Sequence, residues 1–233
     1  MTGTKRTEKG EKTEALILFS RLPIGSETKT RLSPLLDEGQ REALHRSFWA
    51  DAFAAALELQ NRADLFLYWT GSSRPEAYSA LIPAALGLRE QRGRTLGDRM
   101  LAAAGDAFEA GYERAAIVGT DIPHMRPDSI RRAFDLLAEA DVVLGPTPDG
   151  GYWLIGLKRT IPELFDISAP WGSGGVRLGT LERARELGCI CAETDSYRDL
   201  DTPDDLHAFL EERRPSGSAT RACLEGLIGR GAV

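Results

Sequence analysis

The strongest constraint on this chain is a repeated alternation. Seven short apolar runs, at 15–19, 65–69, 86–90, 115–119, 141–145, 152–157 and 189–193, are separated by amphipathic or turn-rich stretches. Apolar runs of this length bounded by turn residues predict buried strands. The spacing between them predicts helices. Over 36–60, Leu44, Phe48, Ala52, Ala55 and Leu59 recur every three or four positions and are expected on one face. A short helix is expected after Pro75. Residues 95–110 open with Thr95 as N-cap and Asp98 three positions on. Residues 127–140 carry Ile130, Phe134 and Leu137 at helical spacing, and 176–188 stop at Gly188. From Thr202 a last helix opens with Pro203 in its first position and acid in its first turn. Strands alternating with helices place the chain in the α/β class, as a mainly parallel sheet in a three-layer α/β/α sandwich.

The 233 residues suit a single domain, expected over 15–212. Residues 1–14 are polar and mixed in charge without an apolar stretch, so they are expected as a disordered leader rather than a secretory signal. Pro, Gly and Ser at 215–218 mark the end of the compact domain and leave 213–233 as a tail or a short docked helix. No apolar run approaches the ~20 residues that span a bilayer, so no membrane span is expected and the default address is the cytoplasm. A net charge of −6 argues against nucleic acid as a partner. Cys189 and Cys191 share one face of the last predicted strand. With no histidine or further cysteine to complete a zinc set nearby, they are expected as small buried residues.

Ligands of a doubly wound sheet bind outside the carboxyl ends of its strands. Four loops there carry reactive groups. After the first strand, Lys29 and Arg31 follow Gly25 and suit phosphate oxygens, one as a point charge and the other as a planar fork. A single glycine before the lysine excludes a Walker A loop. After the fourth strand, Asp121 stands directly behind an apolar run and two residues before Pro123, as a hard-cation ligand or as a turn aspartate. His124 in this loop reads as a surface residue. Between the fifth and sixth runs, Asp149, Gly150, Gly151 and Tyr152 form either a plain hairpin turn or a place where a ligand closely approaches the backbone. Before the last helix, Asp199 and Asp201 are not accounted for by helix-dipole compensation, and both are candidate metal ligands, Asp201 the better one. Carboxylates alone would repel an anionic substrate, so the charge logic requires a divalent cation, Mg or Mn, bridging phosphate oxygens.

Several of these segments, in register along nearly the whole domain, resemble a bacterial family catalogued as DUF2064, within the nucleotide-diphospho-sugar transferase (GT-A-like) superfamily. They are Lys29-Thr-Arg-Leu32, the stretch 91–100, Gly119-Thr-Asp-Ile-Pro123, Gly145-Pro-Thr-Pro-Asp-Gly-Gly-Tyr152, Trp171 and the stretch 199–206. Members are often labelled glycosyltransferases, some linked to arsenosugar biosynthesis. The resemblance implies a GT-A-like fold, Asp121 and Asp201 as metal ligands, and Lys29 and Arg31 over the phosphates. It also implies Gln91, Gly93, Leu96 and Arg99 on the nucleotide or acceptor side, with Trp171 as an aromatic wall. In sugar transferases of this fold the central strand is commonly followed by Asp-x-Asp, whereas here Asp121 is followed by Ile122 and Pro123. That pattern resembles nucleotidylyltransferases of the same fold, phospholactate guanylyltransferases among them.

The expected activity is therefore metal-dependent transfer from a nucleotide-activated substrate to a small-molecule acceptor. The first expectation is glycosyl transfer from a nucleotide sugar. The alternative is nucleotidylyl transfer from a nucleoside triphosphate, with Lys29 and Arg31 steadying the transition state. A third reading is a nucleotide-binding protein without turnover. The pattern marks no clear base, and Asp149 is the candidate.

Overall fold

A computed structural model describes residues 12–212 and 218–228. In chain order the elements are β1 (Glu14–Arg21), α1 (Glu38–Leu57), β2 (Ala63–Thr70), β3 (Leu86–Glu90), α2 (Leu96–Glu109), β4 (Arg114–Gly119) and α3 (Pro127–Leu136). They continue with β5 (Val142–Pro146), β6 (Tyr152–Leu157), α4 (Val176–Glu186), β7 (Cys191–Glu193), α5 (Pro203–Glu211) and α6 (Ala219–Ile228), with short 3-10 turns between. The strands make one seven-stranded sheet in the order β3-β2-β1-β4-β6-β5-β7. All pairings are parallel except those of β6, which runs antiparallel to both β4 and β5. The five residues joining β5 to β6 are too few for a crossover, so the reversal follows from chain length.

Alternation of side chains across the pleat sends Leu16, Leu18, Ala116 and Val118 to one face, under α1 and α3. Ala15, Ile17, Ala115 and Ile117 go to the other, under α2 and α4. The expected α/β/α sandwich is therefore the observed fold. The single apolar face expected for α1 is two faces. Trp49, Ala52, Phe53 and Ala56 pack on the sheet, while Leu44 and Phe48 join a separate cluster with Leu206, Phe209, Leu224 and Leu227 of α5 and α6. α1 is thus an inner helix, covered from outside by the end of the chain. Asp51 of α1 secures this cover by accepting from the first amides of α6, Ala219 at 2.8 Å and Thr220 at 2.9 Å. Burial of Leu224 and Leu227 adds about 1.5–3 kcal/mol each.

The expected caps form. Thr95 with Asp98 and Thr202 with Asp205 make reciprocal capping boxes, and Asp37 with Gln40 makes a third. At the N-terminal end residues 1–11 lie outside the described residues, but Glu14, expected in the leader, opens β1. Its carboxylate is buried because Arg62 at 2.5 Å and Arg114 at 3.1 Å neutralise it. Lys12 is also tied down, to Asp64 at 3.0 Å. The cysteine expectation is corrected: Cys189 precedes β7, Cys191 lies in it, and both are half-buried at the sheet's edge. Among the described residues no helix is long and apolar enough to cross a membrane.

Candidate active site

The loop after β1 turns inward at Lys29, whose backbone is left-handed with φ 49°. A non-glycine residue pays roughly 1 kcal/mol for this conformation. The turn sends its ammonium under the loop, where it is 2 % exposed. A lysine has three N–H donors, and all three are engaged: the carbonyl of Leu200 at 2.8 Å, Asp121 Oδ2 at 2.9 Å and Asp201 Oδ1 at 3.5 Å. The ring of Phe48 lies 5.0 Å below it. Asp201 also accepts from Arg31 at 2.9 Å, and the amide of Leu200 donates to the carbonyl of Asp121 at 3.0 Å. Burial opposes ionisation of Asp121, but the charge and hydrogen bond of Lys29, with smaller contributions from His45 and Arg21, together outweigh it, so its pKa lies below the ordinary carboxylate value. Lys29, Arg31, Asp121 and Asp201, scattered in sequence, meet in one knot. The Lys29 ammonium lies between the two expected metal ligands, Asp121 and Asp201.

Behind the knot lies a buried polar cluster that the sequence reading did not single out. Ser20 Oγ accepts from Trp49 Nε1 at 2.7 Å and from Thr120 Oγ1 at 2.8 Å, and it faces His45 Nε2 at 3.3 Å. The other nitrogen of His45 meets Thr28 Oγ1 in a short contact. Burial, with the positive charge of Lys29 adding to it, pulls the imidazole down to about 4 although Asp121 opposes this. His45 is therefore neutral near pH 7, and it joins the residues preceding Arg21, Lys29 and Asp121. Its position on a helix otherwise marked by apolar spacing gave no signal of this.

In front of the knot a cavity of about 290 Å³ opens at the carboxyl ends of β1 and β4, with Asp121, Asp149 and Asp199 among its lining residues. A smaller recess of about 170 Å³ adjoins it, sharing Asp149 and Asp199 and bordered by Arg31 and Asp201. Asp149 is held by its own turn, accepting from Thr147 Oγ1 and from the amide of Gly151 at 3.1 Å. Asp199 is pushed up to about 6, first by burial and then by the neighbouring charge of Asp149, with Lys29 compensating only in part. Of the two acids preceding the last helix, Asp201 is engaged by Lys29 and Arg31, and Asp199 is the one that faces the cavity.

The remaining candidates divide by location. Leu96, Gly151, Tyr152 and Trp171 line the cavity. Trp171 stacks on Phe165 and lies so close over Gly97 that a side chain there would collide with its indole. Tyr152 has its hydroxyl buried without a hydrogen-bond partner among the described residues; the nearby Thr180 donates instead to the carbonyl of Val176 at 2.9 Å. Gly150 has φ 89°, and what approaches it closely is the carbonyl of Gly174 from its own chain. The hairpin reading of this turn is realised, and Gly151 and Tyr152 also line the cavity. Gln91 does not reach the cavity: its amide donates to the carbonyls of Ser20 at 3.1 Å and Tyr68 at 2.9 Å, lashing the exit of β3 to those of β1 and β2. Gly93 closes that exit against α2 with φ 139°, and Arg99 donates to its carbonyl at 3.2 Å. Arg21 and Arg94, not singled out from sequence, are exposed on these joined exits and form no ion pair among the described residues. His124 packs against Tyr197 and Phe209, 5.4 Å and 5.7 Å between ring centres, rather than lying free on the surface.

Comparison with known proteins places this geometry in a family. The 2-phospho-L-lactate guanylyltransferase of Halomicrobium mukohataei is 32% identical over 189 residues, covering 79% of this chain and 81% of the relative. The 3-phospho-D-glycerate guanylyltransferase of Phenylobacterium zucineum is 30% identical over 213 residues, covering 88% and 94%. A crystal structure from Desulfovibrio desulfuricans G20, provisionally described as a nucleotide-diphospho-sugar transferase, superimposes with a TM-score of 0.86 at 28% identity, covering 94% of this chain and 96% of that one. The expectation of a transferase stands on these relatives. The family model described as "Uncharacterized protein conserved in bacteria (DUF2064)" matches residues 53–173, and with this match and the relatives beside it the chain belongs to the DUF2064 family.

Proposed function

We propose that this protein is a nucleotidylyltransferase: an oxygen of a phosphorylated small molecule attacks the α-phosphorus of a nucleoside triphosphate, and pyrophosphate leaves. The observation that carries the reading is that Asp121, Asp149 and Asp199, from three separate loops, line one cavity, with Asp199 pushed up to about 6 first by burial and then by the charge of Asp149. Such a lining suits a divalent cation. Among the described residues no three acidic, histidine or cysteine side chains hold an ion by themselves. A cation here would be one such as Mg²⁺ or Mn²⁺, which sits on one or two carboxylates and completes its shell with substrate phosphates. Asp121 and Asp199 are the carboxylates that would hold the cation, and when bound it supplies charge neutralisation on the phosphate oxygens. Lys29 keeps Asp121 ionised and fixed. The triphosphate is assigned to the joined exits of β1 and β3, where Arg21 and Arg94 are exposed.

Guanylyl transfer by two curated relatives favours this reading, with GTP the first donor to test. The glycosyl-transfer expectation has less behind it. Where an Asp-x-Asp motif would carry its second carboxylate stands Pro123, buried next to Ile122. The test is to supply each nucleoside triphosphate with Mg²⁺ or Mn²⁺ and phosphorylated acceptors, and to measure pyrophosphate. Pyrophosphate release is expected, falling at least about 100-fold in Asp121→Asn and Asp199→Asn, as for the loss of one stabilising group at developing charge. Nucleoside diphosphate release from nucleotide sugars, with no turnover of triphosphates, overturns the proposal.

A further inference from the structure

The cavity behind the acidic mouth differs in character from the mouth itself. Its walls are the side chains of Phe19, Leu96, Met100, Ile122, Trp171 and Val176, and among the described residues lining it there is no lysine, arginine or histidine. A carboxylate entering this space finds no counter-ion and faces Asp149 and Asp199 at the entrance. Burial of an unpaired charge of that kind is strongly unfavourable. A nucleobase fits poorly for a related reason. Its edge presents several donors and acceptors, and each one buried without a partner costs about 1–3 kcal/mol. Against them the lining sets, apart from its carboxylates, the hydroxyl of Ser173, the hydroxyl of Thr147, which already donates to Asp149, and the indole N–H of Trp153, which already donates to the carbonyl of Asp195. The aromatic wall is built in, since Gly97 leaves room for the indole of Trp171 and Phe165 backs it at 6.4 Å.

Resting on the nucleotidylyl-transfer reading, we infer that the acceptor is a phosphate monoester whose organic body is uncharged and largely apolar. The body lies in the cavity against Trp171 and Leu96, and the phosphate stays at the mouth. The attacking phosphate oxygen forms the new bond to the α-phosphorus as the bond to the bridging oxygen breaks, and the leaving pyrophosphate takes that electron pair. Phospho-acids, the acceptors named for the two curated relatives, belong to a different class because they carry a carboxylate.

The test pairs turnover with direct binding, using the full chain. With GTP and Mg²⁺, kcat/KM for pyrophosphate release is compared between phenyl or n-hexyl phosphate and 3-phospho-D-glycerate or 2-phospho-L-lactate. The uncharged bodies are expected to lead by about tenfold or more. Leu96→Arg, a change at a half-exposed position of the cavity wall, is expected to shift the ratio toward the phospho-acids by a similar factor. Calorimetry of phenyl phosphate alone is expected to show saturable binding, weakened about tenfold or more by Leu96→Trp, which narrows the entrance. A wild-type preference for phospho-acids overturns the inference while leaving nucleotidylyl transfer intact. Absence of turnover with every acceptor, alongside Leu96-sensitive binding of phenyl phosphate, overturns the reaction and keeps the cavity assignment. Displacement of phenyl phosphate by guanosine, or no saturable binding at all, removes the assignment.

Discussion

Two regions meet at the carboxyl edge of the sheet and treat polarity in opposite ways. In the knot around Lys29, the donors and acceptors of the loops after β1, β4 and β7 satisfy one another, and the histidine cluster behind continues the pattern. In the adjoining cavity, Asp199 lies beside Asp149 with only partial compensation from Lys29, and the hydroxyl of Tyr152 is sealed without a partner among the described residues. The first arrangement stabilises the fold, and the second leaves a local imbalance of charge at the place proposed for the cation. Residues of the same chemical type therefore have opposite effects when removed, according to which region holds them.

The sharpest way to break this contrast is Lys29→Met. It leaves Asp121 and Asp201 facing each other without their shared cation, and stability is expected to fall by at most about 3–5 kcal/mol, the loss for one member of a fully buried pair, reduced by the 45% and 32% exposure of the two carboxylates; urea unfolding in EDTA measures it. His45 comes next. Its pKa is depressed to about 4 in the fold, so its contribution is complete above its ordinary value near 6.5 and is lost as pH falls through 4. Over that window the protein is expected to lose up to about 3 kcal/mol that His45→Gln does not lose, a difference in slope that survives any common offset.

Asp199 has the opposite sign. Its pKa is raised to about 6, so it favours the fold below its ordinary value and turns unfavourable as pH rises through 6. At pH 8 in EDTA, Asp199→Asn is expected to gain about 1–2 kcal/mol, discounted for partial exposure, while pyrophosphate release is lost. A stability loss there would place Asp199 in the knot rather than the cavity. The smallest effect belongs to Arg31, which shares Asp201 with Lys29 but is 68% exposed. Arg31→Gln is expected to change stability by less than about 1 kcal/mol, and thermal unfolding at low and high salt checks it.

Much of this fold was legible because burial dictates pattern. Each of the seven apolar runs became a strand or contributed to one, and Thr95 and Thr202 cap the helices their spacing announced. α1 was misread because two opposed apolar stripes on one helix blur into a single broad periodicity, and only the docking of α6 shows which residues face outward. The site was legible as a set of loops but not as a set of roles. Lys29 and Arg31 look equivalent two positions apart, yet a left-handed backbone at a residue with a full side chain sends one inside and leaves the other in solvent. Asp199 and Asp201 also look alike. Which of them is engaged depends on that same turn of the backbone, 170 residues away in sequence in the Arg31–Asp201 contact.

The reversal of β6 has a consequence for how such a protein can diversify. Because β5 and β6 are joined by a tight turn, the first residues of β6 stand at the edge where the other strands end. One short cassette, from Thr147 to Trp153, therefore supplies both an acid of the entrance and a wall of the interior. Exchange of those few residues can retune charge and shape together, without disturbing the hydrogen-bonded ladders that carry the load of folding.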